Sequence, residues 1–123
     1  MSLLKIAKMG NPVLHQIAKT VDDPSNPEIK AIVSDMLETL DDSEGIGLAA
    51  PQVHIPRRVV VFFVPESRVG MSEDDEVEEE LTIMMNPEIE PLMDEKELDW
   101  EACLSVPDMM GCVPRHITVS YTH

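Results

Sequence analysis

Residues 28 to 42 carry an apolar stripe that strongly constrains how this part of the chain folds. Ser25 and Glu28 just before it have the spacing of an N-terminal capping box, and Gly45 after it is a stop signal. The apolar residues recur at intervals of three and four, the period of one helix face; they are Ile29, Ile32, Val33, Met36, Leu37 and Leu40. We therefore predict an amphipathic α-helix over residues 28 to 42.

Strand-forming runs follow this helix. Residues 57–64 are β-branched and aromatic, which predicts a strand buried on both faces. We expect further strands over 81–85 and around 97–100, and the alternating pattern over 115–122 predicts a half-exposed strand. One N-terminal helix followed by antiparallel strands indicates an α+β fold. The 123 residues are enough for a single domain.

Aromatic side chains make up only 3% of the residues, whereas methionines number nine. The core must therefore consist of aliphatic side chains and some of the methionines. Stacking on nucleic-acid bases is not a feature of such a composition. The pairs Met84–Met85 and Met109–Met110 are expected to fill a core or a pocket.

The charge of the chain restricts its partners. Nine basic and 24 acidic residues give a formal net charge of −15, which repels phosphate backbones and anionic lipids, so we expect neither nucleic acid nor membrane as a partner. The acidic run within residues 66–80 is expected to be a solvated loop inserted into the domain, rather than a cation or partner site. Two cysteines and no signal peptide indicate a cytoplasmic protein.

Residues 45–52 read Gly-Ile-Gly-Leu-Ala-Ala-Pro-Gln and interrupt the acidic pattern with small side chains. Small residues let the backbone approach a ligand closely. A phosphate-binding loop is disfavoured, because no strand precedes the glycines and no basic residue or helix start follows them. The alternative without a function is a helix cap that leads into a packed turn.

Residues 101–107 read Glu-Ala-Cys-Leu-Ser-Val-Pro and place a lone cysteine between apolar neighbours. Such a cysteine is more often a small buried hydrophobic residue than a nucleophile or a metal ligand. Cys103 and Cys112 are nine residues apart, which matches no zinc-finger or zinc-ribbon spacing. Neither segment alone supports a functional assignment.

Together, the two segments resemble the first two signature motifs of the peptide deformylases. Residues 45–52 match Gly-x-Gly-Leu-Ala-Ala-Pro-Gln at every fixed position. The second motif, Glu-Gly-Cys-Leu-Ser, is matched at Glu101, Cys103, Leu104 and Ser105. The resemblance extends to residues 11–14, 85–87 and 113–115, so it covers nearly the whole chain. It implies a peptide deformylase-like fold.

The resemblance also implies a reaction, in which the N-formyl group is removed from the initiator methionine of nascent polypeptides and formate is released. In this family a divalent metal, Fe²⁺ with zinc or nickel as substitutes, is held by one cysteine and by a helical His-Glu-x-x-His whose glutamate is the general acid and base. The metal activates water. By resemblance, Cys103 is the thiolate ligand. The side-chain amide of Gln52 and the backbone N–H of Leu104 would stabilise the developing oxyanion.

Five further residues are placed by the resemblance around an N-formylmethionyl peptide. Ile46 and Gly47 line the cleft as a neighbouring strand does. Gly45, Glu101 and Ala102 belong to the same cleft. Ala102 stands where the family usually has glycine, which adds one methyl group but leaves the backbone contacts available.

The 123 residues contain no His-Glu-x-x-His. We therefore expect a partial domain over residues 1–123, truncated before the metal-binding helix and with little or no activity of its own. His54 and His116 are expected to be solvated rather than substitute ligands. Three alternatives stay open: a natural short relative that has lost catalysis, a noncatalytic formyl-peptide-binding or oligomeric interaction module, and an acidic metal-binding protein that uses Glu73 to Glu80.

The same reasoning predicts how copies of the chain associate. Without the metal-binding helix, the strands over 57–64 and 115–122 are expected to expose Val59, Val61, Ile117 and Val119. An apolar patch of this kind is costly to leave in water. We therefore predict a homo-oligomer, and the alternative is a monomer in which the helix over 28–42 covers these side chains.

Overall fold

The computed structural model describes residues 3–63, 81–117 and 119–122. Within these ranges the chain forms one α-helix, two short 3₁₀-helices and seven β-strands. Helix α1 spans Pro27–Ser43, and the 3₁₀-helices span Pro12–His15 and Ala50–Val53. The strands are β1 (Gly47–Ala49), β2 (Val59–Phe63), β3 (Leu81–Met85), β4 (Glu88–Pro91), β5 (Lys96–Cys103), β6 (Val106–His116) and β7 (Val119–Thr122). This order confirms the predicted α+β class and the strand over 81–85.

Helix α1 begins one residue earlier than predicted and has a different cap. Asn26 is the N-cap, and its side-chain Oδ1 accepts a hydrogen bond from the Glu28 N–H at 2.9 Å. Pro27 follows at the first helical position, where its missing N–H costs nothing. The predicted capping box from Ser25 is wrong, because the Ser25 hydroxyl donates to Asp23 at 2.6 Å instead.

Helix α1 also ends differently from the prediction. The left-handed residue at its C-terminus is Glu44, with φ of 58°, and not Gly45. At Gly45, a Cβ atom would lie 3.0 Å from the Leu104 side chain, so a larger residue here would require Leu104 to shift. The glycine therefore allows a close approach between two distant segments.

The core lies between α1 and a three-stranded antiparallel sheet with the order β1-β2-β3. The helix contributes its predicted apolar stripe, and the sheet contributes Leu48, Val59 and Val61, each no more than 1% exposed. Full burial of a side chain of this size stabilises the fold by about 1.5–3 kcal/mol. The buried helix residues in this core are Ile29, Val33, Met36 and Leu40.

Two predictions about β2 are wrong. Val59 and Val61 are not exposed, because α1 covers the face of the sheet that carries them. The strand is also not buried on both faces, since Val60 and Phe62 on the opposite face are only half-buried. The covering of Val59 and Val61 by α1 is the arrangement expected for the monomer alternative.

The remaining strands form two separate two-stranded ribbons. Strands β5 and β6 pair as an antiparallel hairpin, with an irregularity in register between Ala102 and Cys103. Strands β4 and β7 pair antiparallel in the second ribbon. The strand predicted around 97–100 is confirmed and extends to Cys103.

The single strand predicted over 115–122 is wrong. Strand β6 ends at His116 and β7 begins at Val119, and the two strands pair with different partners. Between the two strands, Ile117 is 52% exposed, and its N–H donates to the carbonyl of Glu95 at 3.2 Å. Alternation of apolar and polar residues fixes which face a side chain takes, but not the strand with which it pairs.

The predicted acidic loop at 66–80 lies outside the described residues. Among the residues that the structure does describe, no helix is long and apolar enough to cross a membrane.

Candidate active site

The first site segment is a turn that directs one amide inward. Strand β1 leads into the 3₁₀-helix Ala50–Val53, which is anchored in the core by Ala50 and Val53. The side chain of Gln52 folds back on this turn, and its Oε1 accepts a hydrogen bond from the Ala49 N–H at 2.9 Å. The amide nitrogen of Gln52 is thereby directed away from the turn.

The second site segment is the end of the β5–β6 hairpin. Glu101 and Ala102 lie in β5, and Cys103 is its last residue, directly after the irregularity in register. Cys103 is exposed, so it is not the small buried hydrophobic residue of the alternative interpretation. Ser105, two residues later, is only 4% exposed.

The two segments meet through side chains that are far apart in sequence. The Nε2 of Gln52 lies 3.5 Å from the Sγ of Cys103 and 3.1 Å from the Oγ of Ser105. The chain thus places an amide donor beside an accessible thiol. A donor in this position is suited to stabilise negative charge that develops next to the sulfur.

The backbone of the first segment offers an edge beside this pair. Strand β1 is an outer strand of its sheet and pairs only with β2 among the described strands. Ile46, just before β1, is 39% exposed. A Cβ atom on Gly47 would lie 3.4 Å from the Cβ of Phe62, which is an ordinary van der Waals distance. An extended peptide can bind at an edge of this kind through main-chain hydrogen bonds.

A pocket of about 270 Å³ lies beside Cys103 and is lined by the end of β5 and by β6 as far as Val113. Its walls are largely apolar and include Val106, Met109, Met110 and Val113. Met109 and Met110 are 57% and 61% exposed, so they line a pocket and do not belong to the core. The volume lies just below the roughly 300 Å³ at which small-molecule sites begin.

Glu101, which lines this pocket, forms a bidentate ion pair with Arg115. The Arg115 guanidinium donates from Nε and Nη2 to the two carboxylate oxygens at 2.8 and 2.7 Å. These hydrogen bonds hold the pKa of Glu101 below its usual value and raise that of Arg115. Glu101 therefore stays ionised at neutral pH and is a fixed charge rather than a proton carrier.

The Glu101–Arg115 pair predicts a specific dependence of stability on pH. Because the folded-state pKa of Glu101 is lowered, its contribution is present above the ordinary pKa of 4.5 and is lost as the pH falls through the folded value. Glu101→Gln is expected to reduce the loss of stability on acidification. The effect will be small, since exposed pairs contribute little. Urea midpoints between pH 7 and pH 3 measure it, with Glu88→Gln, outside this pair, as control. Equal acid sensitivity of both variants would contradict the assignment.

The described residues do not complete a metal site. Over residues 3–63, 81–117 and 119–122, no three His, Cys, Asp or Glu side chains lie close enough together to hold one ion. His54 is exposed, as predicted, whereas His116 is half-buried with its Nδ1 3.1 Å from the carbonyl oxygen of Met93. Cys103 therefore offers only one of the three or four protein ligands that a metal ion takes in sites of this kind.

Sequence reasoning missed the N-terminal segment that joins the two site segments. The Ala7 N–H donates to the carbonyl of Gln52 at 2.6 Å, and the Met9 N–H donates to that of Ser105 at 2.8 Å. Between them, Lys8 Nζ donates to the carbonyl of Leu104 at 3.1 Å. No local pattern in residues 7–9 indicates these contacts, because their partners lie 45 to 96 residues away.

Comparison with known families identifies the family of the chain. The family model described as polypeptide deformylase matches residues 3–123. The chain belongs to this family. Peptide deformylase 1 of Bordetella pertussis is 40% identical over 121 residues, which are 95% of this chain and 65% of the relative. Peptide deformylase 1 of Nitrosomonas europaea is 40% identical over 116 residues, 94% of this chain and 64% of the relative.

Solved peptide deformylase structures have the same fold. A class I type b peptide deformylase from Acinetobacter baumannii with bound Met-Ala-Ser has a TM-score of 0.82 and 32% identity, and the match covers 98% of this chain and 76% of that one. A peptide deformylase from Ehrlichia chaffeensis gives a TM-score of 0.84 and 30% identity, with coverage of 98% and 67%. The chain spans slightly less than two thirds of the curated relatives named above.

Proposed function

We propose that these 123 residues supply the thiol, the oxyanion donors and the peptide cleft of a peptide deformylase. The complete protein would remove the N-formyl group from the first methionine of nascent polypeptides and release formate. One observation carries the proposal, the 3.5 Å approach of Gln52 Nε2 to Cys103 Sγ across 51 residues of sequence. Membership of the polypeptide deformylase family supports it.

In this proposal, Gln52 and Leu104 act on the formyl oxygen. Attack of water on the formyl carbon moves negative charge onto that oxygen. The Gln52 amide and the Leu104 backbone N–H would donate hydrogen bonds to it, and each donor of this type contributes roughly 2.7–4 kcal/mol to transition-state stabilisation. The Ala49 N–H supports this role, because its hydrogen bond to Oε1 leaves the donating nitrogen of Gln52 directed toward Cys103.

The cleft residues would hold the peptide as an additional strand. Gly47 is the first residue of the outer strand β1, Gly45 and Ile46 directly precede it, and Glu101 and Ala102 lie near the end of β5. The apolar pocket beside Cys103 would receive the methionine side chain of the substrate. Binding of Met-Ala-Ser by the Acinetobacter baumannii relative supports a peptide substrate.

The proposal assigns Cys103 as one ligand of the divalent metal that the family uses, Fe²⁺ with zinc or nickel as substitutes. The other ligands would come from residues outside this sequence. The two thiols of the described chain are free, which supports a reducing compartment, and we place the protein in the cytoplasm.

Formate release by two proteins tests the function. The 123-residue chain, supplied with Fe²⁺, Ni²⁺ or Zn²⁺, is expected to release no formate from a formyl-methionyl peptide above the metal-only control, because it lacks the ligands and the general base. A version extended by a family His-Glu-x-x-His segment is expected to release formate. Turnover by the 123-residue chain at rates typical of enzymes, or an inactive extended protein that is folded and contains metal, would refute the proposal.

We also propose that the chain forms a homo-oligomer, through a surface different from the predicted one. On one face of the β5–β6 hairpin the register places Leu98, Trp100, Met110, Cys112 and Pro114 together, and all are exposed. This face is flanked by Lys96 and His116, and none of the five side chains named above is acidic. In a chain with a net charge of −15, these five side chains add no like-charge repulsion between two copies.

Light scattering at micromolar concentration measures this association. The unaltered chain is expected to have at least a dimer mass. Trp100→Glu, in the middle of the face, is expected to give a monomer because it introduces like charges. Ile17→Glu is the control, since Ile17 is 95% exposed on another part of the chain. A monomeric unaltered chain, or a dimer unaffected by Trp100→Glu, would contradict this surface.

A further inference from the structure

The amide of Gln52 is fixed by more contacts than its proposed role requires. Its Oε1 accepts from the Ala49 N–H at 2.9 Å, and its Nε2 donates to Ser105 Oγ at 3.1 Å and to Cys103 Sγ at 3.5 Å. Both ends of the amide are therefore engaged. A side-chain amide held at both its oxygen and its nitrogen cannot rotate by 180° without the loss of these hydrogen bonds.

Ser105 is suited to hold the nitrogen end. It is 4% exposed, and among the described residues Thr39 is the other buried polar side chain. A buried hydroxyl offers the Nε2 of Gln52 a partner for which water does not compete strongly. Without this hydroxyl, the Ala49 contact and the longer contact with the Cys103 sulfur would be left to fix the amide.

The backbone around Ser105 is fixed as well. Met9 donates to the Ser105 carbonyl, and Ala7 donates to the Gln52 carbonyl, so the same N-terminal segment holds both residues. These two backbone hydrogen bonds help to fix the distance between the Ser105 hydroxyl and the Gln52 amide.

We propose that Ser105 is a positioning residue that locks the Gln52 amide with its nitrogen toward Cys103. The inference rests on the proposed role of Gln52 as an oxyanion donor, and in it Ser105 acts through Gln52. A donor that is fixed before the reaction requires no reorganisation when charge develops.

Nuclear magnetic resonance on the 123-residue chain tests the positioning without any activity. The sequence contains two glutamines, so the exposed Gln16 provides an internal reference for the Gln52 side-chain amide. We expect cross-relaxation between the Gln52 amide protons and the Ser105 Hβ protons, together with slower hydrogen exchange at Gln52 than at Gln16. The absence of both in the unaltered chain would overturn the proposal, whatever the variants do.

The variants add a second criterion. Ser105→Ala is expected to bring amide exchange at Gln52 to the rate at Gln16, whereas Ser105→Thr, which keeps the hydroxyl, should preserve the slow exchange. Ser120→Ala, an exposed serine of β7, is the surface control. Unchanged protection of Gln52 in Ser105→Ala would overturn the proposal.

Steady-state kinetics in the extended, active protein distinguish the positioning role of Ser105 from the proposed oxyanion role of Gln52. Ser105→Ala is expected to lower kcat by roughly 10- to 100-fold at nearly constant KM, as expected for a misplaced catalytic group, and Ser105→Thr should restore most of it. In Gln52→Leu, adding Ser105→Ala should have no further effect. If Gln52→Leu leaves kcat unchanged, the oxyanion role of Gln52 fails even where the resonance data support the positioning.

Discussion

Replacement of Cys103 by alanine is expected to abolish formate release in the extended, active protein. The proposed role of Cys103 is that of a metal ligand, and removal of one of three protein ligands lowers both metal affinity and activity. Cys103 is exposed and at the end of β5, so its loss leaves the core intact. The released formate and the metal retained after dialysis are measured on the same sample of Cys103→Ala. Both quantities are expected to fall to background.

Cys112 provides the matched control for this experiment. It is the second cysteine of the chain and is also exposed and free, but it lies in β6 opposite Trp100 and outside the pocket that contains Cys103. Cys112→Ala is expected to retain formate release and metal. If Cys103→Ala keeps normal turnover, or if the two variants lose metal equally, Cys103 is not the ligand.

Sequence periodicity predicts the elements of this fold better than their surroundings. The stripe from Ile29 to Leu40 gives α1 because the spacing alone determines which residues share a helix face. The cap is ambiguous, since Ser25 and Asn26 are both good N-caps and only the backbone geometry selects between them. Strand alternation puts Val59 and Val61 on one face of β2, but the layer that covers this face is a property of the tertiary structure and was not predicted.

In the candidate site, too, the sequence predicts the residues better than their contacts. The two motifs draw attention to Gln52 and Cys103, and the structure brings their side chains together, while their roles in catalysis stay predictions. The contacts of Ser105 and of residues 7–9 cannot be read from the sequence. They join segments 45 to 96 residues apart, and a backbone N–H or a buried hydroxyl has no sequence pattern that names its partner.

Replacement of Gln52 by leucine is expected to lower kcat of the extended protein by at least ~10²-fold and to change KM little. The physical reason is that an oxyanion donor interacts most strongly with charge that exists in the transition state, so its loss affects the chemical step more than binding. Leucine approximates the size of glutamine but cannot donate a hydrogen bond. Steady-state kinetics with a formyl-methionyl peptide measure kcat and KM separately.

The interpretation of Gln52→Leu depends on two controls. The substitution also leaves the Ala49 N–H without its partner, which costs about 1–3 kcal/mol of stability where the group is buried. The variant must therefore be assayed well below its melting temperature, as established by circular dichroism. Gln16→Leu replaces the other glutamine, which is exposed, and is expected to leave kcat and KM unchanged. A rise in KM with constant kcat would mean that Gln52 binds the ground-state substrate and does not stabilise the oxyanion, because uniform binding leaves the barrier from the bound substrate unaltered.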